Sequence, residues 1–325
     1  MTGNEIGNKD RCLELEQIII LLAAYNGSRY VEEMIDSILA QDYTNWKLIL
    51  SDDGSTDHTP EILESYETRF PEKILFYRSG MRFGNAQNHF MHLLKKFQND
   101  APYLMFADQD DVWHSDKVRK TYEMMKKTEK SPEIPTMVHT DLRVVNQELE
   151  ELFPSFVEMS SIRGTRMELK HLLVQNVVTG CTMMVNRALA ELACSSMPQG
   201  EILMHDWWLA LLAAACGNTG FLNEATIDYR QHGGNSVGAK NTRSLKYIVS
   251  RLKTYDMAEN MHHTFLQAKQ FHKCFSEFLS EEQRFQVTLY AQLAERGRFA
   301  RRWAYVRHGY WKCGLYRQIA QLVFG

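Results

Sequence analysis

Phe106-Ala107-Asp108-Gln109-Asp110-Asp111-Val112-Trp113 decides how the rest of this chain is read. The apolar run Tyr103-Leu104-Met105-Phe106-Ala107 has the length and composition of a buried strand. Three carboxylates follow within four residues. Ser115 then offers a helix cap, with Val118, Tyr122 and Met125 at helical spacing behind it. Carboxylates crowded at the end of a buried strand repel one another and lose hydration. A cation among them offsets both costs, and hard ions such as Mg2+ or Mn2+ suit oxygen ligands. Open α/β sheets place ligands at strand carboxyl ends. The stretch reads either as a metal-bridged diphosphate site or as a solvated acidic turn capping the next helix.

Working outward, Ile18-Ile19-Ile20-Leu21-Leu22-Ala23-Ala24 has the all-apolar pattern of a parallel strand covered on both faces. The turn Tyr25-Asn26-Gly27-Ser28 leads to Val31, Met34, Ile35, Ile38 and Leu39 at helical spacing, and Trp46-Lys47-Leu48-Ile49-Leu50 is the next strand. The chain thus opens β-α-β with a right-handed crossover expected. A second acidic cluster, Ser51-Asp52-Asp53-Gly54-Ser55-Thr56-Asp57, follows that strand. Ionised carboxylates there accept from the N–H and hydroxyl donors of a base and ribose, whereas a capping turn satisfies the same residues. A solvent-facing Asp53 at the strand end is expected.

Ile74 to Tyr77 reads as a third strand, and the basic loop Arg78 to Asn85, with Arg82 inside it, precedes a helix from about Ala86 to Phe97. Such a loop meets a phosphate or only turns the chain. Thr136 to Val145 and Thr182 to Val185 are further strands; Gly180 permits close backbone approach or a bulge. His205-Asp206-Trp207-Trp208 opens an apolar helix with Asp206 in its first turn, as general base or as cap. Trp207 and Trp208 are a stacking platform or core. Ala225 to Arg230 is a late strand, followed by His232 in a glycine loop, a ligand or an exposed side chain.

The bulk properties bound the function. The 325 residues are 44% hydrophobic, enough for one large core and a smaller appendage, and a net charge of −3 gives no global field for nucleic acid. Six scattered cysteines lack zinc or redox spacing and fit a reduced, cytoplasmic setting. The polar stretch 1–17 is not patterned as a signal peptide, and no run reaches the ~20 apolar residues of a membrane span. From about Asn241 helical patterns replace strands. Arg296 to Gly325 holds no acidic residue but seven basic ones interleaved with aromatics. That segment reads as a surface for anionic membrane or as a packed helix with a solvated basic face.

In order, Ala24-Tyr25-Asn26-Gly27, Ser51 to Asp57, Asp108-Gln109-Asp110-Asp111-Val112-Trp113, Gly180-Cys181, His205-Asp206-Trp207-Trp208 and Tyr229-Arg230-Gln231-His232-Gly233 resemble the motifs of a family 2 glycosyltransferase. The resemblance covers residues 18 to about 235 and implies the inverting GT-A fold: a Rossmann-like open mixed sheet flanked by helices. The organisation expected is a 1–17 tail, an 18–238 catalytic domain and a 239–325 α-helical extension. The Asp-Gln-Asp-Asp-Val-Trp form resembles the rhamnosyltransferase-like branch, which implies dTDP-L-rhamnose as donor and a growing bacterial cell-surface polysaccharide, lipid-linked, as acceptor.

The resemblance also implies roles. Asp53, with Ala24, Tyr25 and Asn26, holds the pyrimidine and ribose. Asp110 ligates a Mg2+ or Mn2+ ion bridging the diphosphate, Asp108 contacts the ribose or the ion's waters, and His232 completes the metal or diphosphate site. Arg82, Gln109 and Trp207 join the donor-binding set, and Asp206 is the catalytic base. Partners expected are a nucleotide-sugar donor and a glycan acceptor, with no nucleic acid; a homodimer and a peripheral position on the inner face of the plasma membrane stay open. The rivals are another donor (UDP-hexose or UDP-galactofuranose), a metal-dependent phosphatase, and a non-catalytic sugar-nucleotide-binding protein.

Overall fold

The computed structural model describes residues 15–196, 198, 202–231 and 256–325. Its first half alternates strand and helix: β1 (Ile18–Ala24), α1 (Val31–Leu39), β2 (Trp46–Asp52), α2 (Thr59–Arg69), β3 (Ile74–Phe76), α3 (Ala86–Phe97) and β4 (Tyr103–Asp108). β1 to β4 are parallel, as the uninterrupted apolar runs of β1 and β4 require. Ala23 sits beside Asp108 and Ala24 beside Asp52 in the ladder, so the carboxyl ends of β1, β2 and β4 lie together.

The second half mixes directions. A two-residue β5 (Val112–Trp113) and α4 (Lys117–Thr128) follow the acidic stretch; then come β6 (Thr136–Val145), β7 (Glu151–Phe153) and two one-turn helices, α5 (Phe156–Met159) and α6 (Leu169–Leu172). Next are β8 (Met183–Asn186), α7 (Arg187–Ser195), α8 (His205–Cys216) and β9 (Asn218–Arg230). The sheet order is β3-β2-β1-β4-β8-β6-β9-β5, with β7 paired to β6. β8 runs against β4 and β6, which returns β6 and β9 to the direction of β4 and brings the end of β9 back to the acidic stretch. β9 begins seven residues before the expected start at Ala225, because its polar first half pairs with β6 along a half-exposed path that apolar patterning does not show. The cap of α4 is Asp116, not Ser115, whose carbonyl instead accepts from Asp42 N–H at 2.9 Å.

Four helices complete the described chain: α9 (Asp256–Phe275), α10 (Glu281–Gln292), α11 (Arg298–His308) and α12 (Leu315–Phe324). Their inner faces share one buried cluster with the sheet and α8: Phe271 and Phe275 ring Trp208 at 5.6 and 5.8 Å, and Phe265, Tyr290 and Tyr310 extend it. Trp208 is therefore core. Gln267 and Gln283 tie the two parts through Leu203 N–H and the Ala215 carbonyl, each at 2.8 Å. No helix among the described residues is long and apolar enough to cross a membrane, and the five described cysteines are free.

Candidate active site

The carboxyl ends of β1, β2, β4 and β9 form one rim, and the chain stitches them together by side chain to main chain. Asn26, in the left-handed region at φ 48°, donates its N–H to Ser55 Oγ at 2.8 Å and accepts from Thr56 N–H at 2.8 Å. Gln109 brackets Tyr25, accepting its N–H at 2.8 Å and donating to its carbonyl at 2.9 Å. A Cβ on Gly27 would lie 2.1 Å from Gln109 Oε1, so glycine is required for that clamp. Tyr25 remains 48% exposed beneath the Arg82 guanidinium, 5.9 Å from its ring centroid, and Arg82 also donates to the Gly54 carbonyl at 3.2 Å. Ala24 is buried and offers its carbonyl to Asp53 N–H at 2.9 Å.

Asp53 is not solvent-facing: it is 5% exposed, and its carboxylate accepts the backbone N–H groups of Phe83 and Gly84, the latter at 2.8 Å. A strand-end position suggested exposure, but the loop from β3 folds over it. Asp53 thus holds the basic loop that carries Arg82. His89 stands beneath, hydrogen-bonded to Ser51 Oγ at 2.8 Å and stacked on Phe83; burial lowers its pKa to about 4.

The acids at the end of β4 form the centre. Asp108, Asp111 and Cys181 bring a ligand atom each to within 4.8 Å of one another. Burial, then the charges of Asp110 and Asp206, raise Asp108 to a pKa of about 7. Burial, then the charges of Asp110 and Asp108, push Asp111 well above the carboxylate range, and its Oδ2 has no hydrogen-bond donor among the described residues. Cys181 is buried against both acids, so its thiol is held protonated and adds no negative charge. Two cations approach from below. Lys117 is fully buried, its Nζ 4.7 Å from the Trp113 ring centroid, with burial lowering its pKa to about 8. Arg230 donates to the Asp110 carbonyl at 3.0 Å, pairs with Glu33 and lies 4.5 Å over the Tyr30 ring. Asp111 entered the sequence reading only as a member of the acidic cluster, and Lys117 and Arg230 carried no role of their own; a single buried cation in a helix or at a strand end has no periodic signal. Buried acids with an unpartnered oxygen and raised pKa values fit a divalent cation. His232 lies outside the described residues.

Asp206 faces this centre from the first turn of α8 and is 6% exposed. Burial lifts its pKa to about 7 against the lowering effect of the Trp207 and Gly180 N–H groups and the Asn176 side chain. A Cβ on Gly180 would lie 2.8 Å from His205 Nε2, so the Gly180 backbone must pass close to α8; the close approach is to protein. His205 is packed against Phe90 and Phe106 at 4.5 and 5.4 Å, and burial lowers its pKa to about 3, which leaves it neutral and without a base's access. Trp207 is half-buried and donates from Nε1 to the Leu172 carbonyl at 2.5 Å. An open groove of about 1050 Å³ lined in part by Glu16, Pro102, Asn186 and Cys216 lies at the opposite end of the sheet, where no comparable acid cluster converges among the described residues.

The model of glycosyl transferase family 2 matches residues 19–192, more than half of the chain and most of this rim. The chain belongs to that family. It is 27% identical to the dTDP-rhamnosyl transferase RfbG of Shigella flexneri over 233 residues, 70% of this chain and 76% of that protein. It is 26% identical to the UDP-Glc:alpha-D-GlcNAc-diphosphoundecaprenol beta-1,3-glucosyltransferase WfgD of Escherichia coli over 174 residues, 53% of this chain and 61% of that one. Among solved structures, S. aureus TarS in complex with UDP superposes with a TM-score of 0.53 at 15% identity, covering 87% of this chain and 73% of its own. The fold is GT-A, as expected from the motifs. The protein is a family 2 glycosyltransferase.

Proposed function

We propose that this glycosyltransferase moves L-rhamnose from dTDP-L-rhamnose to a hydroxyl of a growing, lipid-linked cell-surface polysaccharide, with inversion. The observation that carries the catalytic part is Asp206: a buried carboxylate with a pKa of about 7, on a helix N-terminus, close enough to Asp108 to raise its pKa. A general base works best when its pKa lies near the operating pH. Asp206 would take the proton of the acceptor hydroxyl as that oxygen bonds to the anomeric carbon. The bond to the diphosphate oxygen breaks on the opposite face, so a β-linked donor yields an α-linked product. No covalent intermediate on the protein is needed.

The remaining roles follow the rim. Asp53, Ala24, Tyr25 and Asn26 bound the pocket for pyrimidine and ribose, with Gln109 holding Tyr25 in place. Arg82 lies where it can meet the diphosphate. Asp110, Asp108 and Asp111 are the acids available to hold Mg2+ or Mn2+, with His232 as a further ligand in this reading; such an ion supplies charge compensation to the departing nucleoside diphosphate. Trp207 borders the base.

The dTDP-rhamnosyl name of the Shigella relative favours that donor, and the diphosphoundecaprenol in the Escherichia coli relative's name favours a lipid-linked acceptor. That second relative also favours the alternative of a UDP-hexose donor. A thermal-shift screen of dTDP-rhamnose, UDP-glucose and UDP-galactose with Mn2+, followed by release of nucleotide in the presence of acceptor, separates them. Stabilisation by dTDP-rhamnose above the UDP-sugars, with turnover, supports the rhamnosyl reading. Preference for a UDP-sugar replaces it, and binding without turnover would leave a non-catalytic binder.

A further inference from the structure

Helices α11 and α12 present an apolar face that no described residue covers. On α11, Phe299, Trp303 and Val306 recur at three- and four-residue spacing, which puts them on one side of the helix. Phe299 is 85% exposed. On α12, Leu315, Ile319 and Val323 repeat at four-residue spacing, and Leu315 is 74% exposed. The two helices are tied at one point. Arg302 of α11 donates to the Val323 carbonyl at 3.3 Å, with its guanidinium 5.9 Å from the Phe299 ring. At the other end Trp303 meets the His308 ring at 5.7 Å, and His308 meets the exposed Phe285 of α10 at 6.0 Å.

This face is not a core left unfilled. The opposite sides of both helices are already buried through Ala304, Tyr305 and Ala320. Gly309, at φ 74°, ends α11 in the left-handed conformation that turns the chain into the link before α12. The exposed side is therefore held in place by a packed one. Its charge is one-signed: Arg296 to Gly325 contains no Asp or Glu. Arg296, Arg298 and Arg307 are exposed and form no ion pair with a described residue. Exposed apolar side chains grouped along two helices in this way mark an interaction surface. Aromatic and aliphatic side chains bordered by unpaired arginines match the chemistry of an anionic bilayer surface, apolar below and phosphate at the rim.

We propose that α11 and α12 form a docking surface for an anionic lipid bilayer, lying in its plane with Phe299, Trp303 and Leu315 inserted and Arg298 and Arg307 at the lipid phosphates. The same helix pair is fastened to the base. Cys313 N–H donates to Gln175 Oε1 at 2.8 Å, and Arg317 donates to the Ser160 carbonyl at 2.7 Å. Gln175 adjoins Asn176, whose side chain bonds Asp206. Docking thus fixes the Gln175–Asn176 segment, and through it Asp206, at a set height above the headgroups, where a lipid-linked hydroxyl is presented. This purpose rests on the acceptor proposed above; the surface itself rests on α11 and α12 alone.

Flotation of the full chain with vesicles tests it without any substrate. The protein is expected to float with phosphatidylcholine vesicles containing phosphatidylglycerol at low salt, and not with phosphatidylcholine alone. Arg298→Gln and Arg307→Gln are each expected to lower the partition constant about fivefold, and Phe299→Ser with Trp303→Ser to lower it further. All four substitutions are at exposed positions, so melting temperature and transfer to a water-soluble acceptor should stay at the wild-type level. Absence of flotation at low salt, or equal flotation of wild type and the Phe299/Trp303 variant, overturns the proposal. So does a dimer in solution that the Phe299/Trp303 variant dissolves without change in flotation. Loss of flotation with no transferase activity in any sample would separate failure of the functional reading from failure of this one.

Discussion

Replacing Asp206 with Asn separates the chemical and structural work of one carboxylate. The side chain keeps its size and its oxygen for the Gly180 and Trp207 N–H groups, so the first turn of α8 should survive. It loses basicity, and turnover should fall about 100-fold or more. The stability effect has the opposite sign. The folded pKa of Asp206 is raised from the usual 3.8 to about 7. The stability belonging to its protonated form is complete below about pH 4 and is lost as pH rises through about 7. That loss amounts to at most about 4 kcal/mol. Asn carries no charge and does not suffer it. In EDTA, Asp206→Asn should therefore melt several degrees above wild type near pH 8, by about 2–4 °C per kcal/mol. Near pH 4.5 the two should converge. Wild-type kcat/KM should rise with pH through a midpoint near 7. Scanning fluorimetry across pH, with transfer rates on the same samples, is the assay. A variant less stable than wild type near pH 8 would refute the burial argument. A folded variant within about threefold of wild-type turnover would refute the base.

Other perturbations reach the rest of the rim. Asp110→Asn and Asp111→Asn should each reduce the thermal shift given by Mn2+ and slow transfer, since the ion loses a charged ligand; full activity in EDTA would sink the metal reading. Asp53→Ala removes two N–H acceptors under the Arg82 loop and should cost about 1–3 kcal/mol as well as nucleotide affinity; equal dissociation constants for dTDP in both proteins would leave Asp53 a purely structural anchor. His139 is buried, bonded to the Gly164 carbonyl at 3.0 Å, and lowered from 6.5 to about 4 by burial. Its contribution is present above about pH 6.5 and lost as pH falls toward 4, by about 3 kcal/mol at most. His139→Met should flatten that part of the acid-stability curve in urea titrations, and an unchanged slope would assign it to other groups.

The legible parts of this chain are those where one physical pattern dominates. β1, α1, α3 and β6 fall at the expected boundaries because apolar runs and helical spacing depend on burial alone. Asp206 in a first turn was legible for the same reason. β5 escaped because two residues have no period, and the polar start of β9 because its partner is β6, not a covered face. The inside of the site was harder to read. Lys117 and Arg230 look like surface cations in sequence, yet both are buried beside the acidic turn, where β9 pairs with β5. Asp53 and Gln109 fit ligand roles by type, but the chain uses their oxygens and amide first on its own main chain. Motif spacing marks where such residues converge; it does not say which atoms remain for a ligand.

The charge balance of the rim gives a further consequence for donor binding. Asp108, Asp111 and Asp206 all have raised pKa values, and burial is the first cause in each case. The cations within reach do not cancel them: Arg230 is paired with Glu33, and Lys117 is itself depressed toward neutrality. A nucleoside diphosphate brings further negative charge to the same strand ends. Arg82, one exposed guanidinium, is too little to offset it there. On the proposed reading the donor should therefore bind weakly without a divalent ion, and its affinity should rise steeply with Mn2+. The uncharged nucleoside, which lacks the diphosphate, should bind with the same affinity in EDTA and in Mn2+. Calorimetric titration of dTDP and thymidine under both conditions distinguishes the cases. Equal dTDP affinity with and without ion would mean that the acids are protonated when donor binds, and that their charge is managed by protons and not by a metal.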